Sequence, residues 1–489
     1  MLVYWQIREG LKSAVPNLSS CLKIMEGKTC TLSLSHVGVA KVEKLLKRLK
    51  NSKSTAVDEL DNFCIKISAE IIAQPLHHII SLSIMQCKFP TSWKFSKIVP
   101  LHKNDSVLDS KTYRPFAILS PLGKILEKII FEQLYSYFSS NKIFHPHLHG
   151  YRHQRSTQTA LLQMYDRWVR AAHQGGVTGV VLLDLCAAFD LVDHQILLDK
   201  LKIHGLQPDF CEWIRCYLTD RHQAVWLSHC FSSLLPCSVG VPQGSNLGPL
   251  FFLIFYNDLP FSLNCEFEAY ADDSTMSLSR KNIEIIGDLL TSNCEKVSTW
   301  MEENKFKLNA TKTHFLTVGT SVRVGSLANP VEVVMDGIKL KEVTERSEKL
   351  LGVHIQYNLK WQKTLEELRK KLKKRLAGLQ KLRSVVPFHQ LKIITQGIFN
   401  TIMVYCLPLY GGCNKGDLES IQVLQNKAAQ IVTKSAPRSE RNPMFDKLDW
   451  LSVNQLIAYH TYRFTKSGSP KNQNISMKYL GEKTERATL

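Results

Sequence analysis

Apolar positions recur every three to four residues along much of the chain, with a few zones where they run together or alternate. From Val39, the residues Val42, Leu45, Leu46 and Leu49 share one face and lysines the other, which predicts an amphipathic helix broken at "NSKSTAVDEL" (51–60). Helical patterns follow over roughly 61–86 and at "LGKILEKIIFEQLYSYFS" (122–139), while 88–121 between them reads as a basic loop with a short strand at "KIVPL". Val180–Leu183 is an unbroken apolar run, the pattern of a buried central strand. Phe189, Val192, Ile196, Leu197 and Leu201 come next at helical spacing, so Asp184 is expected where a strand ends and a helix is about to start, with Asp190 and Asp193 solvated near that helix N-terminus. "SVGVPQGSNLGPLFFLIFYNDLP" (238–260) predicts a Gly/Pro-punctuated loop feeding an apolar helix. "EFEAYADDSTMSLS" (266–279) alternates on both sides of its acidic pair, as a hairpin does. A helix over 282–305 and a strand pair at "KFKLNATKTHFLTVG" complete the middle of the chain.

Charge changes the picture at 360–384. Leu365, Leu368, Leu372, Leu376, Leu379 and Leu382 form one stripe, and the stretch from Lys360 to Arg383 carries ten basic residues against two acidic. Such a helix suits a phosphate track, a membrane surface or a partner helix. A second helix is expected near 416–434, with Leu418, Ile421, Leu424, Ala428 and Ile431 on one face. The whole chain of 489 residues has 62 Lys and Arg against 43 Asp and Glu, a net charge of +19, which favours a polyanionic partner. Thirteen scattered cysteines without a CxxC pair read as reduced thiols. "MLVYWQIREGLKSAVPN" has charges where a signal peptide needs an apolar core, and the longest apolar run, "LFFLIFY", is too short to span a bilayer. The expectation is a soluble intracellular protein with no membrane partner.

The acidic pair Asp272–Asp273 in "YADDST" admits two readings. Aspartates favour turns, so a solvated turn is the plain one. Carboxylates converging from separate strand ends instead bind hard cations, and two Mg2+ ions can clamp the attacking and leaving oxygens of a phosphoryl displacement. Asp184 at a strand end and Asp272 at a hairpin tip have the placement that this chemistry needs.

The ordered set "LLDLCAAFDLVDH", "VPQGSNLGPL", "YADDST" and "KLNATKT" resembles the successive palm motifs of reverse transcriptases, in the flavour of non-LTR (LINE-type, jockey-like) retrotransposons. "FPTSWKFSKIVPLHK", "YRPFAILSPLGKILEKII", "HGYRHQRSTQTAL", "YLTDRHQ", "LLGVHIQYNLKW" and "VLQNKAAQIV" follow the same family order, so the resemblance covers about 37–465. It implies an α+β right-hand polymerase with fingers, an antiparallel-sheet palm and a helical thumb. The divisions expected are an N-terminal extension and start of the fingers (1–82), fingers and palm (83–357), and a thumb with the C-terminal region (358–489).

The resemblance further implies that Asp184 and Asp272 bind two Mg2+ ions, with Mn2+ as a substitute, and that Asp273 completes the carboxylate set. Phe189 matches the aromatic that closes the sugar pocket against a 2′-OH. Gln243 and Gly244 match the loop against the incoming nucleotide and template base, Lys103 and Arg114 the basic groups that hold the triphosphate, and Lys312 a lysine that protonates the leaving pyrophosphate. The 350–357 hairpin would grip the primer. The implied partners are an RNA template, a DNA primer and dNTPs, and nuclear residence is expected. Ala56 stands where the family usually has Gly, and Cys186-Ala187 where Ser-Lys is frequent. With about 36 residues ahead of the matching region, the chain is expected to be the polymerase portion of a larger element. Two other readings use the same residues: a decayed or domesticated nucleic-acid-binding remnant, and a two-carboxylate hydrolase, which leaves the basic helix and "VPQG" without a role.

Overall fold

The computed structural model of the chain describes residues 16–467 apart from 53–54, 103–105, 107, 110–111, 310–311, 326–330, 344–345 and 437–438. The principal strands, in chain order, are β1 (Phe95–His102), β2 (Tyr113–Ile118), β3 (Val177–Leu183), β4 (His222–Leu227), β5 (Glu266–Tyr270), β6 (Asp273–Arg280), β7 (His314–Val318), β8 (Lys341–Glu342), β9 (Ser347–Leu350) and β10 (Val353–Gln356). Contacts divide the chain into two interleaved units. The first takes residues up to Tyr151, Leu183–Phe267 and Ser292–Lys312; the second takes Arg152–Leu182, Glu268–Thr291 and Thr313 onward.

In the first unit β1 pairs antiparallel with β2 and parallel with β4. The stretch expected to be largely loop at 88–121 is therefore a hairpin. Pro100 and Pro115 face each other across it. Proline removes a ladder donor, which is why the pattern reads as irregular although Ser96 and Ile98 alternate inward as in any strand. Pro121–Ser140 is the expected helix and buries Ile125, Leu126, Ile129, Ile130, Leu134 and Phe138. The Gly248–Phe255 helix is apolar on all sides and accordingly buried.

The helix expected directly after Asp184 begins only at His194. Asp193 is its N-cap, accepting hydrogen bonds from the Gln195 and Ile196 amides. Ala187, at φ +47°, turns the chain before that point, so Phe189 belongs to a turn and not to a helix face. Neither nearby aspartate is solvated. Asp193 is buried and paired with Lys305 at 3.0 Å, and Asp190 is partly buried against Gln243. Deeper in the unit, the buried Lys200 ammonium lies 2.7 Å from Asp258 and 2.7 Å from the Phe255 carbonyl, over the rings of Phe255 and Trp300. Charge this deep persists only when paired and hydrogen-bonded.

The second unit holds the sheet β8-β7-β3-β6-β5. β3 is buried along almost its whole length, as its apolar run predicted. β7 pairs antiparallel with β3. Among the described residues, the strand pair expected over 305–319 is one strand, β7, preceded by a bridge between Leu185 and Leu308. β9 and β10 form a hairpin whose turn residues, Leu351 and Gly352, both have positive φ, the requirement of the tightest two-residue turn. The Gln362–Leu382 helix buries Leu365, Leu368, Leu372, Leu376 and Leu379, the predicted stripe, in one core with Ile421, Leu424, Ala428 and Ala429 of the Lys415–Thr433 helix. Arg369 ties the two helices through Ser420 at 2.7 Å and through Asp417. Each buried leucine contributes roughly 1.5–3 kcal/mol relative to exposure, so the stripe outweighs the like-charge repulsion on the opposite face. Among the described residues no helix is long and apolar enough to cross a membrane.

Candidate functional site

The acidic residues sit at element boundaries. Asp184 is the first residue after β3, and Asp273 is the first of β6. β3 and β6 are neighbours in the sheet. Thr178, near the start of β3, lies 2.8 Å from Ser279, near the end of β6, through their hydroxyls, so the strands run in opposite directions. The end of β3 and the start of β6 therefore lie at the same end of the sheet. Asp272 and Ala271 form the two-residue turn between β5 and β6, confirming the hairpin read from the sequence. Ala271 has φ +59°, the positive value that a two-residue hairpin turn requires at its first position. The Asp272 and Asp273 carboxyls are exposed and Asp184 is partly buried.

Within the first unit a second segment lies along the Asp184 backbone. The Asn309 amide donates to the Asp184 carbonyl at 2.9 Å and the Cys186 amide to the Lys307 carbonyl at 3.0 Å. The exposed Lys312 follows one turn later, its amide bonded to the Asn309 carbonyl. The Cys186 thiol is pushed up by burial and by the Asp184 carboxylate, while Lys307 and Lys312 pull it down. Lys307 and Asn309, far away in sequence, thus flank the Asp184 backbone.

A third segment is the loop 240–244. The Val241 amide donates to the Phe189 carbonyl, and the Gly240 amide to the Val192 carbonyl, each at 2.9 Å. On its other side the Gln243 carbonyl accepts from the Ala117 amide of β2 at 2.8 Å. Gly244 has φ +129°, and a Cβ there would stand 2.4 Å from the Ala117 carbonyl oxygen. Only glycine fits. Gly244→Ala is expected to cost roughly 1–3 kcal/mol through backbone strain alone, with the clash against Ala117 adding to it; a melting temperature equal to wild type would contradict this placement. Arg114 lies on the same strand β2 as Ala117 and is exposed. Phe189 is partly buried, stacked on Phe252 at 4.9 Å and edge-on to Tyr151 at 5.9 Å. Lys103 lies outside the described residues.

The sequence reading gave one carboxylate in this region no role and took another as solvated. Glu127 is fully buried, accepting from the Asn246 amide at 2.7 Å and the Tyr217 hydroxyl at 2.9 Å. Burial raises its pKa above the ordinary carboxylate value, and these donors, Arg221 and Lys124 pull it back. The Asn246 side chain donates to the Lys124 carbonyl at 2.8 Å, which pins the far end of the loop to the Pro121–Ser140 helix. An acid inside the apolar run "KILEKII" was the available signal. The second is Asp190, which receives the Gln243 side-chain amide.

Among the described residues no cluster of three or more His, Cys, Asp or Glu side chains forms a metal cage. Asp184, Asp272 and Asp273 are therefore not gathered into such a group. An all-oxygen set such as Asp184, Asp272 and Asp273 selects a hard cation.

Residues 101–355 match the family described as reverse transcriptase (RNA-dependent DNA polymerase). Among curated proteins, the chain is similar to the probable RNA-directed DNA polymerase from transposon BS of Drosophila melanogaster, 25% identical over 89% of this chain and 49% of that protein. It is also similar to the RNA-directed DNA polymerase from mobile element jockey of the same species, 26% identical over 82% of this chain and 44% of the relative. A third relative is the probable RNA-directed DNA polymerase from transposon X-element, 23% identical over 80% of this chain and 43% of that protein. The chain spans about half the length of these relatives.

Proposed function

The chain belongs to the reverse transcriptase (RNA-dependent DNA polymerase) family, and from that premise we propose that it extends a DNA primer on an RNA template as the polymerase of a non-LTR retrotransposon. The observation that carries this reading is the sheet. Its antiparallel neighbours β3 and β6 bring the Asp184 end of one strand and the Asp272–Asp273 turn of the other to the same end. Asp184 and Asp272, with Asp273 beside them, would hold two Mg2+ ions, Mn2+ substituting. Bound there, the metal supplies charge neutralisation for the displacement at the nucleotide's α-phosphorus. Arg114 and Lys103 hold the triphosphate. Gln243 and Gly244 lie against the incoming dNTP and the template base, Phe189 closes the sugar pocket, and Lys312 delivers a proton to the departing pyrophosphate. In this reading residues 83–357 are fingers and palm, 358–489 thumb and C-terminal region, 1–82 the N-terminal extension, and the β9–β10 hairpin grips the primer; nuclear residence is its expectation.

The test is primer extension on poly(rA)/oligo(dT) with Mg2+ and dTTP, with and without EDTA. Metal-dependent extension supports the polymerase reading. Tight template binding with no extension in Mg2+, or in Mn2+ in its place, sinks it and leaves the nucleic-acid-binding remnant.

The exposed lysines of the Gln362–Leu382 helix, Lys370, Lys371, Lys373 and Lys374, give a separate check on the partner. Phosphate contacts release counterions, so affinity for nucleic acid falls steeply with salt. Replacing these four lysines with Gln is expected to reduce the slope of log affinity against log salt by up to about three to four units, since each lost contact removes about 0.9. An unchanged slope would take this face off the phosphate track.

A further inference from the structure

We propose that Asp190 is a positioning residue that fixes the side-chain amide of Gln243 toward the nucleotide-binding side of the loop, an inference that rests on the polymerase reading. The Gln243 Nε2 lies 3.0 Å from Asp190 Oδ1 and 2.8 Å from Oδ2, so one carboxylate receives the amide through both oxygens. An ionised carboxylate only accepts, which forces Gln243 to point Nε2 at Asp190 and turn Oε1 away. A neutral partner would let the amide sit either way round.

Both ends of this contact are held by backbone. The Asp190 amide donates to the Ala187 carbonyl at 2.9 Å, and Gly240 packs so closely that a Cβ there would be 2.7 Å from the Asp190 carbonyl oxygen. The Gln243 main chain is fixed to Ala117 of β2. Asp190 also follows Phe189 directly, so a single residue links the aromatic turn to the loop.

The energetics argue against a role in stability alone. Burial raises the Asp190 pKa to about 6, with the Gln243 hydrogen bond only partly offsetting this. A carboxylate whose pKa burial raises is costly to the fold in its ionised form, yet at neutral pH it is still largely ionised and still orients the amide. Had packing been the only need, asparagine would fill the space without the charge.

The experiment is a double-mutant cycle on dNTP incorporation with the full chain, using Asp190→Ala, Asp190→Asn, Gln243→Ala and the two combined variants, each with a thermal melt. The expected result is a KM for dNTP raised about tenfold in Asp190→Ala with kcat within about twofold, because binding and not chemistry is weakened. Asp190→Asn is expected to fall between it and wild type, and neither substitution to raise KM further once Gln243 is alanine. Melting temperatures at pH 7.5 should stay at or above the wild-type value. Equal KM effects in both backgrounds overturn the proposal, as does a lowered melting temperature with KM unchanged. If Asp190→Ala does not fold, Asp190→Asn decides by the same criteria. A folded wild-type chain that extends no primer overturns the polymerase reading and this role with it, whereas active wild type with an unchanged KM in Asp190→Asn and Asp190→Ala overturns this role alone.

Discussion

Asp272→Asn and Asp184→Asn are each expected to lower primer extension by about a thousandfold or more while leaving template binding within a few fold of wild type. Each change keeps the side-chain volume and removes one negative charge, so the loss falls on cation binding and on the charge that develops during phosphoryl transfer. The fold gives little reason for collateral damage. Asp272 is exposed in a turn, and Asp184 follows β3, whose pairing with β7 runs from Thr178 to Leu182 and does not include it. Purified variants with wild-type melting temperatures would therefore report on chemistry. Extension at the wild-type rate by either one would remove that aspartate from the metal-binding set. The plain alternative, a solvated turn, predicts no effect at Asp272.

The second large effect is expected at Phe189. A DNA polymerase must reject ribonucleotides, which differ from its substrates by one hydroxyl, and a bulky side chain in the space of that hydroxyl is the simplest discriminator. Phe189 is held by its stacking on Phe252 and its edge contact with Tyr151, yet it is not fully buried, so part of the ring is left to meet a ligand. Phe189→Val is expected to raise the rNTP/dNTP ratio of kcat/KM by about a hundredfold, the scale on which a shaped apolar pocket treats an added hydroxyl. The same residue read as core packing predicts a different result. Truncating a buried aromatic costs roughly 3–5 kcal/mol, which would appear as a lowered melting temperature with selectivity unchanged. Partial burial puts the stability loss below that range. A folded, active variant with wild-type discrimination would end the gate assignment.

The helices with clean amphipathic periods were legible because burial of one face is a local property of the sequence. The Gln362–Leu382 stripe and the all-apolar Gly248–Phe255 helix lie where the pattern put them, as does the hairpin around Asp272 and Asp273. The placement of Asp184 after β3 and of Asp272 and Asp273 at a hairpin was legible for a related reason: an acid after a buried apolar run, or at the tip of an alternating stretch, has a position that the period itself fixes. What the period could not show was where a helix starts. Phe189 and Val192 matched the helical spacing, but Asp193 caps the helix and Ala187 turns the chain first, so apolar residues of a turn were indistinguishable from those of a helix. The β1–β2 hairpin was hidden by the facing prolines Pro100 and Pro115.

Partnerships between distant residues were decided only in three dimensions. Asp190 and Glu127 each carry a charge that sequence alone assigns to solvent or to a helix terminus. Their roles arise from Gln243, and from Asn246 and Tyr217, which reach them across long stretches of chain. The same holds for Asn309 beside Asp184, and for Gly244, whose missing side chain is explained by the Ala117 carbonyl and not by its own neighbours in sequence. The physical reason is common to all of them. Periodicity records which faces leave water, a property each segment carries by itself, whereas the cost of a buried charge or a close backbone approach is set by the atoms that another segment brings to it.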